Sequence, residues 1–226
     1  MDPVSITVLV VVALFAGVGA GAAVAVNWDH IIIWWSGKRL AILGSEMSGK
    51  TTLHSFLKHR SIPRNYDPTL GVVPSDAKRL FLKDLDLKIK EGSDVGGRTG
   101  ARDRNWKPII DESDIILYLV RAHELLSNDQ ALIERIREDS EIIKEWIKGR
   151  KIAPKIAIVG THADLDARFS EHNHTTLENT FIQNDLIREI SVRLGGTGQI
   201  LVVLGSLKTL DDSERLVYVL FKELGH

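Results

Sequence analysis

The chain contains no cysteine. That excludes a disulfide framework, a zinc-thiolate centre and palmitoylation, and it suits a reducing compartment. Charge of one sign is also lacking. Lys and Arg number 29 against 30 Asp and Glu, for a formal net charge of -1. A nucleic-acid partner therefore has no electrostatic support from composition. No internal repeat and no low-complexity tract is present. The length of 226 residues accommodates one domain or two.

A local absence shapes the N-terminal part. Val4 to Val26 carries no charged residue, and its only side-chain hydroxyls are Ser5 and Thr7. As a helix it would extend roughly 34 Å, enough to cross a hydrocarbon core of about 30 Å. A cleaved signal peptide would want a basic start and a shorter apolar core. A core helix of a globular domain would show an amphipathic stripe, and none is seen. The reading is one transmembrane helix, residues 1–27. Asp2 precedes it and Lys38, Arg39, Lys50 and Lys58 follow it. Positive residues stay on the cytoplasmic side, which places the N-terminus outside or in a lumen and the rest of the single-pass protein in the cytosol. Ala13, Gly17, Gly21 and Ala25 share one helix face and would let a partner helix approach closely. Residues 28–37 form a juxtamembrane linker. Trp28, Trp34 and Trp35 there fit an interfacial belt.

The domain from 38 to 226 is organised around Gly44-Ser45-Glu46-Met47-Ser48-Gly49-Lys50-Thr51-Thr52. This fits the P-loop pattern G-x-x-x-x-G-K-[ST] in full. An apolar run, Leu40 to Leu43, precedes it as a strand, and residues 52–59 follow as a helix. Glycine lets the backbone fold tightly around phosphate oxygens. Successive N–H groups and the positive helix end face the anion. Lys50 is placed to reach the β- and γ-phosphates, and the Thr51 hydroxyl to ligate Mg²⁺.

Further apolar runs at Ile115–Val120, Ile156–Val159 and Ile200–Leu204 read as strands buried on both faces, as in a parallel sheet covered by helices. Leu85, Leu87 and Ile89 alternate with polar residues as an edge strand, with Arg79–Lys83 as its hairpin partner. Ser127 with Gln130 resembles a capping box ahead of the stripe Leu132, Ile136, Ile143 and Ile147. Thr175 with Glu178 does the same for one helix carrying Ile182, Leu186 and Ile190, ended by Gly195-Gly196. A last helix shows Leu216, Val217, Leu220, Phe221 and Leu224. The expected fold is α/β: a P-loop, doubly wound, mostly parallel six-stranded sheet preceded by one transmembrane helix.

Four more segments follow in order: Asp67-Pro68-Thr69-Leu70-Gly71, Asp94-Val95-Gly96-Gly97, Thr161-His162-Ala163-Asp164 and Ser206-Leu207-Lys208. In this order they resemble the motifs of a small Ras-like GTPase. Pro-Thr-Leu-Gly and Asp-Val-Gly-Gly are particularly similar to the ADP-ribosylation-factor branch. A span ahead of such a domain resembles the layout of signal recognition particle receptor beta subunits. The resemblance implies GTP and GDP as ligands, with Mg²⁺. It implies that Thr69 ligates Mg²⁺ and senses the γ-phosphate, that Asp94 holds Mg²⁺ through water, and that the Gly97 N–H meets the γ-phosphate. Asp164 would accept from guanine N1–H and the 2-amino group, donors that adenine lacks there. Thr161, Ser206, Leu207 and Lys208 would complete the base pocket.

Two positions depart from the family pattern. His162 stands where a lysine stem normally covers the base. Arg98 stands where a glutamine orients the attacking water, and arginine has only donors, so slow hydrolysis is expected. Arg102, Arg104 and Trp106 extend the second switch. Trp106 either presents an effector surface among the arginines or packs beneath the switch helix. Position 2 is Asp, so the myristoyl anchor of Arf-like proteins has no acceptor. The implied role is a membrane-anchored docking switch for a cytosolic effector or receptor subunit, as in protein targeting at the endoplasmic reticulum. The rivals are a constitutively nucleotide-bound scaffold and a P-loop ATPase.

Overall fold

The computed structural model of the chain describes residues 38–59, 99–169, 174–195 and 200–225. The expected transmembrane helix, the linker and the hairpin strands at 79–83 and 85–89 lie outside them. Among the described residues no helix is long and apolar enough to cross a membrane.

Four strands form one sheet in the order β1 (Leu40–Gly44), β2 (Ile115–Arg121), β3 (Lys155–Thr161) and β4 (Ile200–Leu204). All three pairings are parallel, with Leu40 beside Ile115, Ile115 beside Lys155 and Ile156 beside Ile200. The strands follow the apolar runs because both faces of the sheet are covered.

Alternate residues serve opposite faces. Ala41, Leu43, Ile116, Tyr118, Ile158 and Val202 pack against α2 (Thr99–Glu112), α4 (Gln130–Ile147), α5 (His174–Ile182) and α6 (Asp185–Gly195). Leu40, Ile42, Leu117, Ala157 and Leu201 pack against α1 (Lys50–His59) and α7 (Leu210–Leu224). The short α3 (Ala122–Leu126) follows β2 directly. This is the doubly wound, three-layer arrangement. Each large apolar side chain so enclosed contributes about 1.5–3 kcal/mol relative to exposure. One buried acid is built into the first face. Tyr118 Oη donates to Asp139 Oδ2 at 2.9 Å, and Arg135 Nε donates to Asp139 Oδ1 at 3.1 Å. Those bonds offset the cost of enclosing the carboxylate.

The structure corrects two local expectations and decides one that the sequence left open. The N-cap of α4 is Asp129, whose Oδ1 accepts from Leu132 N at 3.0 Å. Ser127 Oγ instead donates to Glu124 O at 2.9 Å, closing the end of α3. The single helix expected over 175–195 is two helices. Asn184 Oδ1 accepts from Leu186 N at 3.0 Å and Ile187 N at 3.4 Å, so it starts α6 afresh. The apolar stripe crosses that break without losing its period, which hides it in the sequence. Trp106 is 4% exposed and packs in the first-face core. It lies under the helix and offers no effector surface.

Candidate functional site

The described motifs converge at the C-terminal ends of the strands, where ligands bind in open α/β sheets. The loop after β1 turns through Gly44 (φ 142) and Gly49 (φ 88), with Met47 also left-handed (φ 57). A β-carbon on Gly44 would stand 2.4 Å from Leu119 O and 2.9 Å from Ser48 Oγ, so only glycine fits. Lys50 opens α1 and folds back into the loop. Its Nζ donates to Gly44 O at 2.9 Å and also to Ser45 O. The ammonium therefore stands inside the loop. Ser45 and Ser48 are buried, and their hydroxyls have no hydrogen-bond partner among the described residues. Buried polar atoms in that state are costly, and a phosphate oxygen is a chemically suitable acceptor for them. Glu46, Met47 and Thr51 are exposed.

The loops after β3 and β4 form a second wall. Gly205 N donates to Gly160 O at 2.9 Å, and Ala163 N donates to Gly205 O at 3.2 Å. Ser206 Oγ donates to Asp164 Oδ1 at 2.7 Å and accepts from Lys208 N at 3.0 Å. Lys208 Nζ stands 3.8 Å from Asp164 Oδ2. The Asp164 side chain is 14% exposed. Ser206 thus points one carboxylate oxygen while the other has only a distant, exposed cation.

Thr161 joins this wall to the phosphate loop. Its fully buried Oγ1 is 2.9 Å from Ser48 O, 3.2 Å from Val120 O and 3.0 Å from His162 Nδ1. A hydroxyl has one proton, and both carbonyls can only accept. All three contacts are served when the proton is shared by the carbonyls and His162 Nδ1–H donates to Oγ1, the tautomer that leaves Nε2 as the ring's acceptor.

His162 (φ 57) leads into the 3-10 turn Ala163–Leu165. A β-carbon on Gly49 would stand 3.8 Å from His162 Cε1 and 3.0 Å from Leu207 Cδ1. Both side chains therefore bound the phosphate loop from the side of the loops after β3 and β4. Burial lowers the His162 pKa. Asp164 and Glu124 oppose the shift, while His123 and Arg121 reinforce it.

The sequence reading did not anticipate the group behind His162. His123 has its ring centroid 5.9 Å from that of His162. Arg121 Nη1 donates to Glu124 Oε1 at 2.6 Å. These residues end β2 and begin α3, at the same sheet edge as the motifs. That position is the signal by which they could have been found. Thr69, Asp94, Gly97 and Arg98 lie outside the described residues. Arg102 and Arg104 belong to α2.

Comparison with known proteins agrees with this arrangement. Residues 30–197 match the ADP-ribosylation factor family. A solved structure of an ADP-ribosylation factor-like GTP-binding protein, the small COPII coat GTPase SAR1 from Encephalitozoon cuniculi in complex with GDP, is similar. It has 18% identity and a TM-score of 0.51, covering 87% of this chain and 82% of that one. A point variant of SsGBP aligns at 17% identity and a TM-score of 0.44, covering 83% of this chain and 55% of that one. No curated protein sequence matches. The fold is that of the SAR1 structure, and the family match spans most of the chain: this protein carries a small-GTPase domain and belongs to the ADP-ribosylation factor family.

Proposed function

We propose that this protein is a membrane-anchored GTP-binding switch whose nucleotide state controls the docking of a cytosolic partner. The observation that carries guanine recognition is the Asp164 carboxylate, held by Ser206 Oγ at 2.7 Å beside the phosphate loop. A carboxylate so held offers two acceptor oxygens to the guanine N1–H and 2-amino donors, and adenine would leave them unpaired.

The residues fit a nucleotide. Lys50 and the N–H groups of Gly44 to Thr52 would hold the phosphates. Buried Ser45 and Ser48 hydroxyls suit the same anion, and exposed Thr51 would ligate Mg²⁺ with Thr69, while Asp94 would hold it through water. Mg²⁺ would supply charge neutralisation between the β- and γ-phosphates. Gly97 would sense the γ-phosphate, and Arg98 would leave intrinsic hydrolysis slow. Thr161, His162, Leu207 and Lys208 would frame the base.

The anchor rests on the uncharged run of residues 4–26. A protein held in this way cannot use GTP to cycle on and off a membrane, so its switch acts on a partner. The layout supports a role like that of the signal recognition particle receptor beta subunit, at the endoplasmic reticulum.

The test is the nucleotide itself. The full chain is purified in detergent with Mg²⁺ and denatured, and the released nucleotide is identified by chromatography. GDP or GTP is expected, displaced by guanine but not adenine nucleotides. An adenine nucleotide, or a site that binds neither, would overturn the reading. Capture of the same partners by GTP- and GDP-loaded protein would argue against switching. A second reading, a constitutively loaded scaffold, is favoured by Arg98; GTP surviving purification would support it.

A further inference from the structure

The opposite edge of the sheet, where the strands begin, has its own chemistry. The connection from α4 to β3 reads Lys148-Gly149-Arg150-Lys151-Ile152-Ala153-Pro154-Lys155 and contains no acid. Ile152 is 81% exposed, more than any other large apolar residue among those described. Lys148, Lys151 and Lys155 are exposed around it. A β-carbon on Gly149 would meet nothing within 4 Å, so the chain is open to solvent at that position.

Two of the four cations have structural employment. Arg150 Nη1 donates to Ile110 O near the end of α2. Lys155 Nζ donates to Leu224 O at the end of α7. Both neutralise helix C-termini. That account leaves Lys148, Lys151 and Ile152 unexplained. Lys148 faces Glu145 only at 3.9 Å, with both side chains mostly exposed. Asp114, the acid at the start of β2, is already held by Arg39, whose N donates to Oδ2 at 2.8 Å.

The chain enters the domain at this same edge. Asp114 N and Ile115 N both donate to Arg39 O, and Lys155 N donates to Asp114 O. Lys38 lies close enough to Lys155 to depress its pKa, second to burial. Residues 28–37, which precede Lys38, can reach at most roughly 35 Å when fully extended. An anchor at residues 4–26 would therefore keep this edge near the lipid.

We propose that the strand-start edge is a membrane-contact surface. Ile152 enters the interfacial layer of an anionic bilayer, and Lys148 and Lys151 face its headgroups. Cations beside an exposed apolar side chain suit that interface, where attraction falls off within a Debye length. The nucleotide site then faces away from the lipid, open to a cytosolic partner. This inference rests in part on the proposed anchor, and the test separates the two.

The cysteine-free chain permits a single engineered thiol. Full-length Ile152→Cys, carrying an environment-sensitive dye, is reconstituted into phosphatidylcholine bilayers with or without phosphatidylserine. Leu165→Cys, exposed at the opposite edge, is the control. The dye at 152 is expected to shift to the blue and to be quenched by lipid-borne quencher when phosphatidylserine is present; the dye at 165 is not. Adding Lys148→Gln and Lys151→Gln should lower the docked-to-undocked ratio about fivefold per cation removed. A dye at 152 that stays in water, or equal quenching at 165, would overturn the proposal. Alkaline carbonate extraction reports the anchor separately. If the chain is extracted, quenching at 152 on phosphatidylserine vesicles still supports the contact surface, and its absence overturns it.

Discussion

The two edges of the sheet are made by the same four strands, yet they are built by different rules. At the strand ends, backbone is forced through left-handed conformations at Gly44, Met47, Gly49 and His162. Polar atoms there are buried ahead of any ligand, as at Ser45 and Ser48. At the strand starts, polar groups are paired with one another, as in Arg39 with Asp114 and Lys155 with Leu224 O. The first edge concentrates strain and unspent hydrogen-bonding capacity, which is how binding sites are prepared. The second is relaxed and leaves its surplus as exposed charge. Functional sensitivity should follow that division.

The largest contrast is between two glycines. Gly44→Ala places a β-carbon 2.4 Å from Leu119 O at φ 142 and should cost about 3 kcal/mol or more, with loss of nucleotide binding. Gly149→Ala at the other edge meets nothing within 4 Å and should change stability by less than about 0.5 kcal/mol. Denaturant unfolding of both variants measures this. Equal losses would erase the distinction between the edges.

Next come two aspartates. Asp164→Asn should weaken guanine nucleotide binding about a hundredfold, because a charge-assisted pair of acceptors is replaced by an amide presenting a donor. Titration with a fluorescent GDP analogue reads it out. Asp114→Ala should leave that titration unchanged and cost about 1 kcal/mol of stability, since its ion pair with Arg39 is half exposed and only the bond to Arg39 N is well formed. A nucleotide effect at Asp114 would show that the edges are coupled.

The smallest expected effect is a pH slope. Burial holds the His162 pKa below its ordinary value of about 6.5. In that window the unfolded chain binds a proton that the folded chain does not, so stability rises with pH. The His162 contribution is therefore complete above about pH 6.5 and is lost as pH falls toward the folded value. His162→Gln should remove that part of the slope. Unfolding free energies across this range, for both proteins, provide the check. An unchanged slope would place the titration elsewhere.

Strands and apolar helix stripes were legible because alternation and helical period are properties of neighbouring residues. Ile115–Val120 and Ile200–Leu204 needed little or no adjustment at their ends. Helix starts were less legible. Ser127 and Asp129 are both competent caps, and the choice depends on where α3 ends. The break at Asn184 preserves the apolar stripe, so periodicity cannot show it. For Trp106 the sequence left both fates open, and packing against the sheet chose burial.

In the site, the sequence by itself named the phosphate loop, because P-loop chemistry requires fixed residues at fixed spacing, and it offered Asp164 through a resemblance of ordered motifs. Only the tertiary structure joined Thr161 to Ser48 O across the sheet, aimed Asp164 through Ser206, and set His123 behind His162. It also brought Lys38 close to Lys155, at the edge that carries the Lys151-Ile152 loop. The physical reason is range. Backbone geometry and hydrophobic period act over a few residues, and sequence records them. Hydrogen bonds between loops that follow different strands depend on strand order and register, which exist only once the sheet has formed.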